Sequence, residues 1–372
     1  MMSFASYFTS VFFCIYLPKN NLMKVLVTGS AGFIGFHMVE RLMKAGNIEV
    51  VGIDNINNYY DPGLKFGRLR ESGIDPEAAE SGKPVQSNKY QGYYFIKQDI
   101  RDREQILSLF EKHRFDIVIH LAAQAGVRYS LQAPSDYISS NVDGFMNILE
   151  ASRQFPLKHL IYASTSSVYG LNTSVPFKVE HHTDHPVSLY AATKKANEMM
   201  AHSYSHLFDI PSTGLRFFTV YGPWGRPDMA LFKFVSAINK GNPIEVYNYG
   251  KMKRDFTYVT DIVENIFRLM DHPPVRNNHW DSSNPNPATS SAPYRILNIG
   301  NSTPVSLTDF IEALEEALQK PAEKKMLPLQ PGDVVETWAD VEPLIAITGF
   351  RPQTPVKEGV KRFVEWYLQY YN

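Results

Sequence analysis

A short apolar run, Lys24–Thr28, leads directly into the glycine turn Gly29-Ser30-Ala31-Gly32-Phe33-Ile34-Gly35. Beyond the turn, Phe33, Ile34, Phe36, Met38, Val39 and Leu42 recur at helical spacing until Gly46 closes the run. Few folds place three glycines between a buried strand and a helix. The first permits a tight turn, the second lets backbone approach a pyrophosphate, and the third lets the helix pack on the sheet. The helix start, with Phe33 and Ile34, offers free N–H groups and a positive dipole end to an anion. Val50–Ile53 forms the next apolar run, and Asp54 follows it. Asp54 lies about twenty residues past Gly35, where a ribose-binding acid is expected. No Arg occurs in the next residues, Asn55-Ile56-Asn57-Asn58, which disfavours a 2′-phosphate. Gly29, Gly32, Gly35 and Asp54 therefore predict a dinucleotide site that prefers NAD to NADP.

The same alternation continues. Strand-like runs at 93–97, 116–120, 159–163 and 212–217 are separated by helical patterns at 103–113, 142–153 and 190–208. This spacing implies crossover units and a mostly parallel sheet covered on both faces. The fold class predicted is α/β, a Rossmann-like doubly wound parallel sheet with a smaller mixed α/β C-terminal lobe. Residues 67–92 are polar, with little periodicity, and read as a long insertion or loop; 273–293 reads as an exposed loop. After about Tyr221 the pattern becomes irregular, with shorter elements at 229–240, 260–270, 307–318 and beyond Val356. The expected division is a dinucleotide-binding domain over 23–220 and a mainly substrate-binding lobe over 221–372, with some segments returning to the first domain.

Composition narrows the function. The 372 residues carry 37 Lys+Arg against 38 Asp+Glu, a formal net charge of −1, which argues against a general nucleic-acid binder. One cysteine, Cys14, leaves no intramolecular disulfide or multi-cysteine metal site, and no metal is expected. Residues 1–22 form a distinct leader. Phe4–Leu17 is apolar and uncharged, too short for a spanning helix of about 20 residues and without a basic n-region. It reads as a start-site artefact or floppy leader, with a peripheral anchor as the alternative. No membrane association is expected elsewhere, and the reading is cytoplasmic.

Two loops extend the dinucleotide site. Asp99 and Ile100 follow the third strand and could flank an adenine, although Asp99 could instead cap the next helix. Leu121, Ala122 and Ala123 follow His120, and their small side chains allow close passage of a cofactor; His120 itself reads as a structural hydrogen-bonder. Tyr190-Ala191-Ala192-Thr193-Lys194 puts a phenol and an ammonium one helical turn apart. Beside Lys194 and a nicotinamide cation, the Tyr190 pKa should fall from ~10 toward neutrality, which suits proton abstraction from a hydroxyl. The fifth strand ends in Ser164-Thr165-Ser166-Ser167, at the sheet edge where ligands bind.

With these motifs in place, the chain from Met23 onward resembles the extended short-chain dehydrogenase/reductases of the nucleotide-sugar epimerase type, and most closely the UDP-glucuronate 4-epimerases. The resemblance rests on KVLVTGSAGFIGFH, GIDNINNYYDPGLK, HLAAQAGVRYSL, YASTSSVYG, HPVSLYAATKKANE, LRFFTVYGPWGRPDMALFKF, RDFTYVTDIV and LPLQPGDVVETWAD. It implies a tightly held NAD and a UDP-sugar substrate. It further implies Tyr190 as base toward the sugar 4-OH, Lys194 on the nicotinamide ribose, and Thr165 bridging to O4. Related decarboxylases usually carry Glu at the position of Ser167, and 4,6-dehydratases an Asp-Glu pair in that turn. Here Thr165, Ser166 and Ser167 are neutral, and can bind a sugar carboxylate without repelling it. Thr219 is a further candidate, with turn and strand-end capping the alternative for all these hydroxyls.

By the same resemblance, Arg226 and Arg254 are candidates to neutralise a diphosphate or carboxylate, with Arg128 ranked lower. Asp333 resembles a ribose-contacting acid, with Gln330 standing where relatives often have Arg. Met229 and Phe232 are expected to line a uracil pocket, with core packing the alternative. The expected reaction is inversion at C4 of UDP-glucuronate to UDP-galacturonate, a step toward polysaccharide precursors. UDP-glucuronate decarboxylation, UDP-glucose 4-epimerisation and a non-catalytic dinucleotide sensor are the competing readings. A homodimer is expected through helices among 103–113, 142–153 and 190–208.

Overall fold

The computed structural model describes residues 22–329 and 335–371; most of the 1–22 leader, together with Gln330 and Asp333, lies outside the described residues. Eight strands form the main sheet: β1 (Met23–Thr28), β2 (Ile48–Asp54), β3 (Val85–Gln86), β4 (Tyr93–Lys97), β5 (Ile117–His120), β6 (His159–Thr165), β7 (Ser212–Phe217) and, much later, β11 (Tyr294–Ile299). Their order is β11-β7-β6-β5-β1-β2-β4-β3. Every pairing is parallel except β3 with β4. The chain winds outward from β1 in both directions, so strand order reverses between β1 and β5. In such sheets the crevice outside the carboxyl ends at that reversal is where ligands bind. The expected α/β doubly wound sheet is therefore the observed one.

Period-two alternation assigns the two faces. Val25 and Val27 of β1 face one layer, with Met38, Val39 and Leu42 of helix Phe33–Ala45 and Ile262 and Ile266 of helix Val259–Leu269. Leu26 faces the other layer, with Ile106 and Phe110 of helix Arg103–His113, Ile148 and Leu149 of helix Gly144–Gln154, and Ala201 of helix Leu189–Phe208. Each wholly buried Val, Leu or Ile contributes roughly 1.5–3 kcal/mol of transfer free energy. Local signals set the helix ends. Asp102 accepts from Gln105 N and Ser188 from Ala191 N, caps worth about 1 kcal/mol each.

The smaller lobe contains β8 (Thr219–Tyr221), β10 (Lys253–Tyr258) and β12 (Pro304–Ser306) in one sheet, and β9 (Ile244–Val246) paired with β13 (Lys324–Met326) in another. Its core joins helices Ala230–Asn239, Leu307–Leu318 and Val356–Tyr371, with Phe256 and Phe310 stacked at 4.1 Å. Among the described residues, no helix is long and apolar enough to cross a membrane.

One expectation fails. The segment read as a loop over 67–92 is largely structured. Pro62–Glu71 is a helix started by Asp61 and Pro62, Pro76–Ala79 is a helical turn, and β3 extends the sheet. Gly63, Gly67 and the charged Lys65, Arg68, Arg70 and Glu71 hide its helical period. Lys65 and Arg68 nevertheless face inward and are buried.

Candidate active site

The glycine turn lies against the loop after β5. Gly29 has φ +71°, and a Cβ there would come within 2.9 Å of Ala122 N. A Cβ on Gly35 would collide with the Gly29 carbonyl, so the helix can start this close to the turn only without a side chain. No side chain caps the N-terminus of helix Phe33–Ala45. Its first N–H groups open into a cleft of about 960 Å³ lined by Gly29, Gly32, Phe33, Ile34 and Gly35. The site fits an anionic pyrophosphate, and the volume lies at the upper end for small-molecule sites. Thr28 fixes the loop opposite: its hydroxyl contacts His120 Nδ1 at 2.9 Å and accepts from Leu121 N and Ala122 N at 3.1 Å each. Burial, followed by the Lys194 charge, lowers the His120 pKa to about 3, so its ring is neutral. Leu121, Ala122 and Ala123 line the cleft.

At one end of the cleft, Asp54 closes β2. Its carboxylate accepts from Ile56 N at 2.8 Å and pairs with Lys65 Nζ at 3.3 Å. Lys65 also reaches Asn57 at 3.0 Å. Sequence reading missed this cation: the argument against a 2′-phosphate counted only the residues just after Asp54, and the fold brings Lys65 in from the helix beyond. Asp99 and Ile100 line the same end. Asp99 does not cap the next helix, because Asp102 does. Asp99 instead accepts from Asn55 at 2.9 Å and from Arg101 at 2.7 Å. Burial opposes its ionisation, but these hydrogen bonds outweigh burial and hold its pKa below the usual range.

Thr165, Tyr190 and Lys194 all line the cleft. Lys194 is buried on the long helix and donates to the Ala163 carbonyl at 2.8 Å. Burial pulls its pKa down to about 8, against the Glu198 carboxylate one turn further on. Tyr190 does not show the lowering expected from sequence. Burial pushes its pKa up, Arg226 and the Thr165 hydroxyl act downward, and Asp228 acts upward. One Lys194 donor is bound to the backbone, and the lowering expected of the phenol includes a nicotinamide cation, which NAD would supply when bound. Thr165 caps the turn Ser166–Tyr169, accepting from Ser167 N at 3.2 Å, and its hydroxyl lies 3.2 Å from that of Ser167. Capping and cleft exposure thus occur in one residue. Ser166, Ser167 and Thr219 also line the cleft.

At the far end Arg226 is paired by its own loop: Nε lies 3.0 Å and Nη2 2.6 Å from the Asp228 carboxylate. Tyr59 donates to the same carboxylate at 3.2 Å. Arg254 lines the cleft and donates to the Lys253 and Val335 carbonyls. Arg128 and Met229 line it as well. Phe232 does not. It sits among Phe363, Trp366, Tyr367 and Tyr371 of the C-terminal helix, at centroid distances of 5.3–6.4 Å, and lines a separate small cavity with Thr219, Arg226 and Met229. Sequence reading also passed over Tyr59, Asp228 and the buried Glu198–Arg216 pair. Asp228 and Glu198 were within reach, standing two residues after Arg226 and four after Lys194.

An uncapped helix start at the strand reversal, a carboxylate at the end of the next strand, and a phenol with an ammonium one turn apart fit a dinucleotide-dependent centre acting on a hydroxyl or carbonyl. The model of the NAD dependent epimerase/dehydratase family matches residues 25–281, and the chain belongs to that family. It is 52% identical to Protein CapI of Staphylococcus aureus over 350 residues, 94% of this chain and all of that one. It is 43% identical to UDP-glucuronate 4-epimerase 4 of Arabidopsis thaliana over 366 residues, 96% of this chain and 78% of the relative. Among solved structures, it is similar to the UDP-glucuronic acid 4-epimerase of Bacillus cereus in complex with UDP-glucuronic acid and NAD. There the TM-score is 0.78 at 30% identity, covering 94% of this chain and 100% of that one.

Proposed function

We propose that this chain is an NAD-dependent isomerase that inverts C4 of UDP-glucuronate to give UDP-galacturonate. The observation that carries the reading is that Thr165, Tyr190, Lys194 and the acid-free turn Ser166-Ser167 line one cleft, with the Thr165 hydroxyl in hydrogen-bond reach of the Tyr190 phenol. Relatives named for this activity span nearly the whole chain. NAD, when bound, supplies the acceptor and later the donor of the C4 hydride. Tyr190 Oη takes the proton from the sugar O4 as C4 is oxidised to the ketone. It returns that proton to O4 when C4 is reduced on its opposite face, so the net reaction consumes no cofactor. Thr165 Oγ1 holds O4 toward the phenol. Lys194, fixed on the Ala163 carbonyl, holds the nicotinamide ribose. Gly29–Gly35 and the helix N-terminus seat the pyrophosphate, while Asp54, Asp99 and Ile100 take the adenosine end. Thr219, Arg226, Met229 and Arg254 take the nucleotide sugar.

A ketone at C4 makes the sugar a β-keto acid. The hydroxyls of Thr165, Ser166, Ser167 and Thr219 keep its carboxylate out of alignment with the carbonyl π system. We divide the chain near residue 220 into cofactor and substrate parts, with β11 and helix Val259–Leu269 returning to the first. Met146, Met199, Leu207 and Phe208 are exposed apolar side chains on helices Gly144–Gln154 and Leu189–Phe208, which favours a homodimer through that face. NAD and UDP-sugar use support a cytoplasmic setting. The test is to incubate the purified protein with UDP-glucuronate and resolve the products. UDP-galacturonate is expected; a dominant UDP-pentose, or turnover of UDP-glucose alone, would overturn the assignment.

A further inference from the structure

Arg68 is wholly buried, yet no carboxylate pairs with it among the described residues. Its guanidinium is occupied by neutral oxygens. Nη1 donates to the Ala31 carbonyl and the Tyr60 hydroxyl, each at 2.8 Å. Nε and Nη2 both donate to the Trp224 carbonyl, at 3.2 and 2.7 Å. Burying a guanidinium without a counter-charge is costly, so packing alone is a poor account of it.

The two backbone acceptors stand just behind two different walls of the cleft, next to Gly32 and near Arg226, which line it. Ala31 is inside the glycine turn. Trp224 stands two residues before Arg226 and is held at φ +62°, a conformation that a non-glycine residue adopts only under constraint. The neighbouring carbonyl, Pro223, accepts from His37 Nε2 at 2.9 Å. A carbonyl can only accept, so that ring nitrogen carries the proton. The loop leading to Arg226 is thus tied at consecutive carbonyls to the glycine turn and the helix behind it. A planar fork fixes several oxygens in set directions around one rigid group, whereas an ammonium offers its three donors from a single rotatable point and reaches less far.

We propose that Arg68 is a positioning residue coupling the cofactor half of the cleft to the nucleotide-sugar half, by fixing the Ala31 and Trp224 carbonyls on one guanidinium. This rests on the functional reading above, in which the turn seats the NAD pyrophosphate and Arg226 faces the UDP-sugar. Arg68 itself touches neither. A ligand that orders one carbonyl then orders the other, and the linkage is reciprocal.

The test is equilibrium dialysis of labelled NAD with and without saturating UDP. In the parent protein UDP should lower the NAD dissociation constant by about five-fold or more. In Arg68→Lys both ligands should still bind, but the ratio should fall to near one. A purely structural role would weaken each ligand or lower Tm without removing the ratio. A parent ratio of one, or an unchanged ratio in Arg68→Lys, overturns the proposal. If that variant does not fold, hydrogen exchange on the parent decides. NAD alone should slow exchange over residues 222–226, and unchanged exchange there overturns the coupling. Failure of the parent to bind NAD or UDP at all would overturn the functional reading, and this inference with it.

Discussion

The Glu198 carboxylate holds Arg216 in a two-pronged ion pair, Oε1 to Nε at 2.9 Å and Oε2 to Nη2 at 3.0 Å, with both side chains out of solvent. Ser164 donates to Oε1 at 2.7 Å. One carboxylate therefore ties the helix bearing Tyr190 and Lys194 to β7 and to the end of β6, next to Thr165. Glu198→Gln would leave the Arg216 charge buried and unpaired. We expect a loss of ~3–5 kcal/mol in denaturant-unfolding free energy. A loss under ~1 kcal/mol would mean that the pair is not the tie described.

The pH dependence has a definite sign. Burial brings the Lys194 pKa down to about 8, and Glu198 opposes that fall. Below that value the ammonium is present; above it the ammonium is lost. Before cofactor binds, NAD affinity should therefore decline as pH rises through about 8. In Glu198→Gln the decline should move to lower pH. An NAD titration at a series of pH values checks this, and a decline displaced upward in the variant would refute it.

Carboxylate restraint predicts a change in product rather than rate alone. Thr165→Ala, Ser166→Ala and Thr219→Ala should each raise the fraction of UDP-pentose formed from UDP-glucuronate, read by chromatography. If all three only slowed epimerisation, the hydroxyls would have no part in restraining the carboxylate.

Tyr190→Phe should abolish turnover, lowering kcat about 10²–10⁴-fold if the phenol is the general base. Bound NAD, measured by its absorbance after protein denaturation, should stay at the parent level. Unchanged activity would remove Tyr190 from the mechanism.

Gly35→Ala and Phe232→Ala should fail in opposite ways. In Gly35→Ala the added methyl would collide with the Gly29 carbonyl and spoil the pyrophosphate seat, so NAD binding should fall at least ~ten-fold. Phe232→Ala removes a ring packed on Tyr367 and Tyr371, so it should cost ~2 kcal/mol of stability and leave KM for the UDP-sugar unchanged. A raised KM in Phe232→Ala would return that residue to the substrate pocket.

What could be read from sequence was local. The strand, glycine turn and helix over 23–45 are contiguous, and Tyr190 and Lys194 lie within one turn of one helix. Helix Pro62–Glu71 escaped because its inward-facing residues include Lys65 and Arg68, whose partners, Asp54, Ala31 and Trp224, come from elsewhere in the chain. Gly67 opens the stretch read as an insertion or loop. In the fold its missing side chain makes room for Tyr370 and Trp224, since a Cβ there would lie 2.5 and 2.9 Å from them. The surroundings of Phe232 were not legible for a related reason. Its position near Met229 in sequence says nothing of which way the helix turns, and the partners that settle it are more than a hundred residues later.

The place of β11 has a consequence for how such a protein can diversify. β11 pairs with β7 only after the chain has left the main sheet to build much of the smaller lobe. A cut near residue 220 would strip β7 of its outer neighbour and leave a row of its backbone N–H and C=O groups unpaired. Any segment exchanged for the part after residue 220 must therefore bring a strand that completes the cofactor sheet beside β7, so the two functions are linked through one shared backbone ladder.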